Sequence, residues 1–244
     1  KNVVLIPWIE REEAINKSGI GRADRTKGYK YGVDSWKQWC EKHDIEFFLM
    51  DELLVPESEM VITWQRWYVL EILEKNGIEY DQVLLVDADC IPHPNCPDFF
   101  KLTDHKFSTS FCNGDFEWVN RAIKDYSRIF FNTDYLMMAS DFFQTGFVIL
   151  NKSHEKFLKY VIDFYWKNKD IIIESYETIR TGSDQPLINL LSKKFGVEVN
   201  FLPNRFSMID LFRKNILYTD PRCWWQDDLS NLYNTCYIYQ FNAI

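Results

Sequence analysis

The chain has 244 residues, of which 46% are apolar and 17% aromatic, and it is long enough to bury one substantial core. Its formal charge of −8 argues against a general nucleic-acid-binding protein, because such proteins present a net basic surface. No apolar run approaches the roughly 18 residues that a membrane-spanning helix needs, and the cysteines form no CxxC pair. We therefore expect one soluble cytoplasmic domain over residues 1–244. The chain begins at Lys1, which is compatible with the removal of an upstream anchor or domain.

Strand and helix signals alternate along the chain. Two predicted strands, Val3–Ile6 and Ile45–Leu49, flank a helix through Trp36 and Cys40 for which Asp34 is the predicted N-cap. The later predicted elements are a helix over Met60–Lys75 that ends at Asn76-Gly77, a strand over Gln82–Val86, a strand over Gly146–Leu150, a helix capped by Ser153, and a helix capped by Ser183 that stops near Gly196. This alternation predicts an α/β fold with a mostly parallel central sheet flanked by helices. In such sheets, ligands bind beyond the carboxyl ends of the strands.

An acidic pair ends one of these strands. The apolar run Val83–Val86 is followed directly by Asp87, Ala88 and Asp89. Residues i and i+2 of an extended chain project to the same side, so the two carboxylates can converge. Converging carboxylates repel each other unless a cation lies between them, and oxygen ligands of this type suit Mg²⁺ or Mn²⁺ together with phosphate oxygens. The pattern therefore predicts a divalent metal site that holds a phosphorylated ligand.

Two other interpretations of the same pair stay open at the level of sequence. In the first, Asp87 ends the strand and Asp89 caps the Pro-rich turn that follows, because acidic residues favour turns. In the second, the pair resembles the start of haloacid-dehalogenase-type phosphatases, in which the first Asp is the nucleophile and the second is the acid and base. Those enzymes usually carry the motif on the first strand of the fold, whereas Asp87 follows at least two predicted strands.

A basic, glycine-bearing segment follows the first predicted strand. Between Lys17 and Gly32 the chain combines five Lys or Arg residues with a single acid, Asp24. Glycine lets backbone N–H groups approach an anion, and Arg22 and Arg25 can neutralise its charge. The segment is therefore a candidate diphosphate site, with a solvated mobile loop as the alternative.

Polar residues also precede the acidic strand and a later strand. Arg66 lies in the helix before the acidic strand, where it can reach a phosphate or, alternatively, lie on the surface over aromatic packing. The residues Gln144, Thr145 and Gly146 lead into the later strand.

Another polar run, Ser183, Asp184 and Gln185, opens a predicted helix. This run can cap the helix, with Asp184 favourably placed against the helix dipole. Alternatively, Asp184 and Gln185 present a carboxylate and an amide to a sugar.

Taken in this order, these segments resemble glycosyltransferases of the GT-A fold. The matching elements are the helix from Thr63 to Leu73, the strand and acidic pair from Val83 to Asp89, the segment from Gln144 to Leu150 with the helix after it, and the helix start from Ser183 to Gln185. The resemblance spans roughly residues 3–210. It implies a single Rossmann-like GT-A domain, with a nucleotide-sugar-binding half over about residues 1–110 and an acceptor-binding half over about residues 111–244.

The resemblance also implies an activity. A hexosyltransferase-type enzyme of this class moves a sugar from a nucleoside-diphosphate sugar, with UDP or GDP as the expected nucleotide, to a hydroxyl group of a glycan or another acceptor. Asp87 and Asp89 are then expected to hold Mn²⁺ or Mg²⁺, and Asp184 and Gln185 to be the catalytic residues. A non-catalytic carbohydrate-binding protein is a further alternative.

The remaining donor-site residues that the resemblance implies are Pro7, Arg22, Arg25, Arg66, Ala88, Gln144, Thr145 and Gly146. Many relatives supply a third metal ligand from a C-terminal His-Phe-x-Gly sequence. The best match in this chain is Gln240-Phe241-Asn242-Ala243. Gln240 is therefore the implied third ligand, although an amide binds these metals less well than an imidazole.

Overall fold

The structure is a computed structural model that describes residues 1–9, 26–112, 114–209 and 236–241. Its strands are β1 (Val3–Pro7), β2 (Glu46–Met50), β3 (Val83–Val86), β4 (Cys90–Pro92), β5 (Phe107–Phe111), β6 (Phe143–Leu150), β7 (Val199–Leu202), β8 (Met208–Ile209) and β9 (Ile238–Gln240). Its α-helices are α1 (Thr26–His43), α2 (Ile62–Gln65), α3 (Val69–Lys75), α4 (Phe116–Phe131), α5 (Glu155–Thr178) and α6 (Gln185–Phe195). Short 3₁₀ helices cover Arg66–Tyr68, Phe100–Leu102, Ala139–Asp141, Lys152–His154 and Asn204–Phe206.

The central sheet has the strand order β2-β1-β3-β6-β5-β7. β1 pairs in parallel with β2 and β3, and β5 pairs in parallel with β7, whereas β6 runs antiparallel to both β3 and β5. The sheet is therefore mostly parallel with one reversed strand. This arrangement, with helices packed against it, confirms the predicted α/β class.

Both faces of the sheet are covered by apolar side chains. Along β1, Val3 and Leu5 pack into one core cluster while Val4 and Ile6 pack into another, and all four side chains are fully buried. β3 divides its residues between the same two clusters. A strand buried on both faces is expected to be a continuous apolar run, and this is the pattern that made β3 recognisable in the sequence.

The reversal of β6 brings two of the predicted motifs together. Because β6 runs against β3, its first residues lie at the edge of the sheet where β3 ends. Val86 pairs with Phe147, and the backbone amide of Asp87 donates a hydrogen bond to the Gly146 carbonyl oxygen over 2.9 Å. Residues 143–145, which were expected to precede the strand, are part of it.

The segment Lys17–Gly32 was expected to precede a helix capped by Asp34, and this prediction is wrong for residues 26–32. Helix α1 begins at Thr26, so residues 26–32 are helical and Asp34 lies inside the helix rather than at its cap. Gly32 allows this helix to pack closely against the turn after β3. A Cβ atom at Gly32 would overlap the Ala88 carbonyl oxygen and lie 3.0 Å from the Cys90 carbonyl oxygen.

The predicted helix over Met60–Lys75 is divided into α2, a 3₁₀ turn over Arg66–Tyr68, and α3. It ends as expected at Asn76 and Gly77, and Gly77 adopts a left-handed φ of 67°.

Two predicted helix caps are replaced by neighbouring residues. Asn151, rather than Ser153, caps the Lys152–His154 turn, and its side-chain oxygen accepts a hydrogen bond from the Ser153 amide over 2.9 Å. Asp184, rather than Ser183, is the N-cap of α6, but its side chain makes no capping bond. The Asp184 carboxylate is used elsewhere, as described below.

A second sheet, with the order β4-β9-β8, lies next to the acidic pair. Cys90 of β4 pairs with Gln240 of β9, which brings the C-terminal strand beside the turn that carries Asp87 and Asp89.

No helix in the described parts of the chain is both long enough and apolar enough to cross a membrane.

Candidate functional site

The acidic turn lies at the carboxyl end of β3. Asp87 and Asp89 are half-buried, and Ala88 between them is buried. Burial, and after it the charge of Asp87, raises the pKa of Asp89 to about 7. Burial also raises the pKa of Asp87, although Arg66 opposes that shift. Two carboxylates held in this way are costly to ionise together, and a nearby cation offsets that cost.

Arg66 is a buried partner of this turn, so the alternative of a surface arginine is wrong. Only 5% of the residue is exposed. Its Nη1 donates to Asp87 Oδ1, and its Nη2 donates to Asp184 Oδ2 over 2.8 Å and to Thr145 Oγ1 over 3.1 Å. Burial alone would lower the pKa of Arg66, but the charges of Asp184 and Asp87 raise it above its ordinary value. The guanidinium therefore stays charged and links three elements of the fold.

Asp184 faces the protein interior. Its Oδ2 accepts hydrogen bonds from Arg66 and from Trp67 Nε1, the latter over 2.9 Å, and its Oδ1 accepts from Ser183 Oγ over 3.1 Å. The Asp184 side chain is 6% exposed. Both carboxylate oxygens are thus engaged within the protein.

Gln185, the next residue, is held much more loosely. It is half-buried, and its Oε1 lies 3.4 Å from both the amide nitrogen and the Oγ1 of Thr145. Its Nε2 lies 3.5 Å from Cys112 Sγ. The two contacts with Thr145 are at the long end of the hydrogen-bonding range, and a cysteine sulfur is a weak acceptor, so the Gln185 amide can turn towards a ligand at little cost.

Gln240 contacts the carboxylate oxygen of Asp87 that Arg66 does not bind. Its Nε2 lies 3.3 Å from Asp87 Oδ2. Its Oε1 accepts a hydrogen bond from Gln144 Nε2, and Gln144 is itself 1% exposed. Gln144, which was expected at the donor site, therefore lies behind Gln240.

Gly146 occupies the point where these groups meet. A Cβ atom there would lie 2.7 Å from Asp87 Oδ2 and 2.7 Å from Gln240 Nε2. Glycine is therefore needed at this position to let the two side chains approach each other, and not for its backbone conformation.

Most of the site residues predicted from the sequence lie close together in the structure. Arg66, Asp87, Thr145 and Asp184 form one hydrogen-bonded network, to which the residues Ala88, Asp89, Gln144, Gly146, Gln185 and Gln240 lie close. Pro7 ends β1 at the same edge of the sheet, next to β3. Arg22 and Arg25 lie outside the described residues.

Two residues have roles at the site that were not predicted. Trp67 donates to Asp184, and Gly32 packs against Ala88. In a sequence, a tryptophan usually indicates a packed core and a glycine a loop, so neither of these roles has a signal of its own. Within the described ranges, no three His, Cys, Asp or Glu side chains form a group that could hold a metal ion. Among the described residues, the carboxylates at the acidic turn are those of Asp87 and Asp89.

Comparison with known proteins identifies the fold. The sequence matches no protein-family model and no curated protein at a significant level. The structure is similar to a glycosyltransferase involved in the glycosylation of the major capsid of PBCV-1, with a TM-score of 0.56 and 11% identity over 100% of this chain and 93% of that one. It is also similar to mouse xyloside xylosyltransferase 1 in its apo form, with a TM-score of 0.53 and 11% identity over 99% of this chain and 98% of that one.

A third similar structure is the apo form of the bifunctional glycosyltransferase WbbM, with a TM-score of 0.50 and 11% identity over 99% of this chain and 45% of that one. At these identities the likeness concerns the fold alone. The chain has the GT-A fold of these glycosyltransferases.

Proposed function

We propose that this chain is a metal-dependent glycosyltransferase that moves a sugar from a nucleoside-diphosphate sugar to a hydroxyl group of a glycan or another acceptor. The observation that carries the proposal is the convergence, within a GT-A fold, of the acidic turn, the first residues of β6 and the start of α6. They meet at the edge of the sheet where open α/β folds bind their ligands. The similarity to glycosyltransferases supports the same class of activity.

The chemistry of the acidic turn fits Mn²⁺ or Mg²⁺. Asp87 and Asp89 offer carboxylate oxygens, which both ions prefer. The raised pKa of Asp89 reflects a half-buried carboxylate next to a second one, and a divalent cation would compensate both negative charges. When bound, such an ion supplies positive charge that stabilises the departing diphosphate.

Residues of the chain are proposed to contact the reacting sugar and to position the acidic turn. In the transfer, the bond between the anomeric carbon and the diphosphate oxygen breaks, and the acceptor hydroxyl oxygen bonds to that carbon. The hydroxyl proton passes to the departing diphosphate, which has gained a negative charge. Gln185 is proposed to contact the reacting sugar, because its amide is loosely held and half-exposed. Asp184 suits a general base less well, because both of its oxygens already accept hydrogen bonds. We propose instead that Asp184 fixes Arg66 against Asp87.

The division of the chain into a nucleotide-sugar-binding half over about residues 1–110 and an acceptor-binding half over about residues 111–244 is part of the proposal. UDP- and GDP-sugars are the proposed donors. Arg22 and Arg25 are proposed to bind the diphosphate.

A thermal-shift screen of UDP-, GDP-, CMP- and dTDP-sugars, each with and without Mn²⁺, tests the proposal. A ligand that binds only the folded state raises its stability by mass action, by about 2.7 kcal/mol at a hundredfold excess over Kd. For a chain of this length that corresponds to roughly 5 to 10 °C in Tm. We expect such a shift with at least one donor when Mn²⁺ is present and its loss in EDTA.

Variants of single aspartates test whether Mn²⁺ binds at the acidic turn. Asp87→Asn and Asp89→Asn should each weaken Mn²⁺ binding by more than about 100-fold, because loss of an outer-shell partner alone costs up to that amount. Asp44→Asn is the control, because the Asp44 side chain is 99% exposed and its left-handed φ of 54° suits Asn. Equal Mn²⁺ binding in Asp87→Asn and Asp44→Asn would argue against the metal site.

A separate assay addresses the phosphatase alternative. Turnover of p-nitrophenyl phosphate, together with a beryllofluoride adduct on Asp87, would overturn the proposal. Sugar binding without any release of nucleotide would instead favour a carbohydrate-binding protein.

A further inference from the structure

Behind the acidic turn, two buried amides form a chain that leads to Asp87. Gln144 Nε2 donates to Gln240 Oε1, and Gln240 Nε2 lies 3.3 Å from Asp87 Oδ2. The two glutamines are only 1% and 4% exposed. Each amide is therefore held by protein groups and not by bulk water.

The far end of this chain is made of hydroxyl groups. Gln144 Oε1 accepts a hydrogen bond from Ser207 Oγ and another from Ser110 Oγ, which lies 3.3 Å away. A hydroxyl group can donate or accept. The serines can therefore satisfy the Gln144 amide in either of its two orientations.

The two amide orientations are coupled. In the arrangement observed, the NH₂ group of Gln240 faces Asp87, and an amide nitrogen of this kind has no free lone pair to offer a cation. Turning the Gln240 amide alone would set its carbonyl oxygen against Asp87 Oδ2 and its NH₂ group against that of Gln144. Both new contacts would be repulsive.

Turning both amides removes one of these conflicts. The Gln144 carbonyl then accepts from the Gln240 NH₂ group, and the serine hydroxyls accept from Gln144. The Gln240 carbonyl now faces Asp87, an arrangement that is favourable only when a cation lies between the two oxygens.

We infer that Gln144 is a positioning residue that sets, through Gln240, whether Asp87 faces an N–H donor or a carbonyl oxygen able to bind a cation. This inference rests on the proposed metal site. It changes the expectation for two residues: Gln144 acts from behind the site, and Gln240 becomes a metal ligand only when both amides turn together.

A double-mutant cycle on the full chain tests the coupling. Gln144→Glu is studied at about pH 8.5, because burial raises the pKa of a carboxyl group at this position. When ionised, the new group accepts but does not donate, so the Gln240 NH₂ group should turn to it and the Gln240 carbonyl should turn to Asp87. Mn²⁺ affinity, measured from the free-ion EPR signal, should increase. The added charge alone would also increase affinity, so the same substitution is made in a Gln240→Leu background, which keeps the charge and removes the amide.

We expect the gain in affinity from Gln144→Glu to be at least about threefold larger with Gln240 present than with Gln240→Leu, within the range of coupling between residues in contact. Equal gains in the two backgrounds would mean that charge alone acts, and the inference would be overturned.

NMR on the wild-type chain is a second test of the coupling, and it does not depend on the folding of any variant. The side-chain amide resonances of Gln144 and Gln240 should both shift when Mg²⁺ is added. The control is the Asn189 side chain, which is also buried but exchanges hydrogen bonds of 2.7 and 2.9 Å with the Phe143 backbone. Its resonances should not move.

The outcomes separate the two proposals. If the wild-type chain binds neither Mn²⁺ nor Mg²⁺, the metal site itself is wrong and the inference fails with it. If the chain binds Mg²⁺ and the Gln144 and Gln240 amides do not move, the metal site stands and only the inference is overturned.

Discussion

The backbone amide of Asp87 donates a hydrogen bond to the Gly146 carbonyl oxygen over 2.9 Å. This contact continues the antiparallel pairing of β3 with β6 by one residue past Val86. It places the acidic turn directly against the strand that carries Gln144, Thr145 and Gly146. The geometry of the candidate site therefore depends on the reversed strand as much as on the two aspartates.

Gly146→Ala should weaken Mn²⁺ binding at the acidic turn without unfolding the chain. The added Cβ would lie 2.7 Å from both Asp87 Oδ2 and Gln240 Nε2, closer than real Cβ contacts, and both side chains are held in place by other partners. We expect Mn²⁺ affinity to fall by at least about tenfold and stability to fall by about 1–3 kcal/mol. Calorimetric titration with Mn²⁺ measures the first effect and urea unfolding the second. Unchanged Mn²⁺ affinity would show that Asp87 does not need its present position.

Gly32→Ala and Gly28→Ala form a matched pair on α1. A Cβ at Gly32 would overlap the Ala88 carbonyl oxygen, whereas a Cβ at Gly28 would meet nothing within 4 Å. Gly28→Ala should therefore stabilise the chain by about 0.5–1 kcal/mol, because Ala favours the helix, while Gly32→Ala should destabilise it by about 1–3 kcal/mol. Urea unfolding of both variants checks the signs. Stabilisation by Gly32→Ala would contradict the close packing of α1 on the acidic turn.

Asp184→Ala should be strongly destabilising, because it leaves the buried charge of Arg66 with one partner fewer. Removing one member of a buried ion pair costs about 3–5 kcal/mol. Combining it with Arg66→Met should cost less than the sum of the two single changes, since the pair is lost together.

The control for this cycle is Ser183→Ala, which removes a hydroxyl group that contacts Asp184 Oδ1 and Thr63 Oγ1, each over 3.1 Å, and should cost about 1 kcal/mol. Strictly additive effects of Asp184→Ala and Arg66→Met in urea unfolding would refute the coupling.

His154 should make stability depend on pH. Burial lowers its pKa below the ordinary value of 6.5, and its Nδ1 accepts a hydrogen bond from the Asn151 amide over 3.1 Å. Because the unfolded chain takes up the proton more readily, this contribution is fully present above about pH 6.5 and is lost as the pH falls towards the folded pKa. His154→Asn keeps an acceptor and does not titrate.

Urea unfolding of the wild-type chain and of His154→Asn at about pH 7.5 and pH 5.5 measures this difference. The wild-type chain should lose stability relative to the variant at the lower pH. A constant difference between the two would contradict the assignment.

Parts of this fold could be predicted because local sequence patterns indicate them. β3 is a continuous apolar run with two acids after it, and Asn76-Gly77 is a typical helix end. β5 was missed, because its polar Ser108, Thr109 and Ser110 are buried through hydrogen bonding and pairing and not through apolar character.

The reversal of β6 and the burial of Arg66 could not be predicted, because both depend on contacts distant in the sequence. Strand direction is set by which partner β6 meets, and no residue of the strand encodes it. Arg66 is buried only because Asp87 and Asp184 are brought to it by other elements. Sequence could name the polar residues of the site but not their partners.

The central claim is that the acidic turn supports the breakdown of a nucleotide sugar at the sugar carbon. It is tested most directly by incubating the chain with the donor that raises its Tm, in Mn²⁺ or EDTA, and identifying the products released to water. We predict a nucleoside diphosphate and free sugar in equal amounts from the wild-type chain and Asp44→Asn, only in Mn²⁺, and none from Asp87→Asn. Release that persists in EDTA or in Asp87→Asn, or products consisting of a nucleoside monophosphate and a sugar phosphate, would contradict the account.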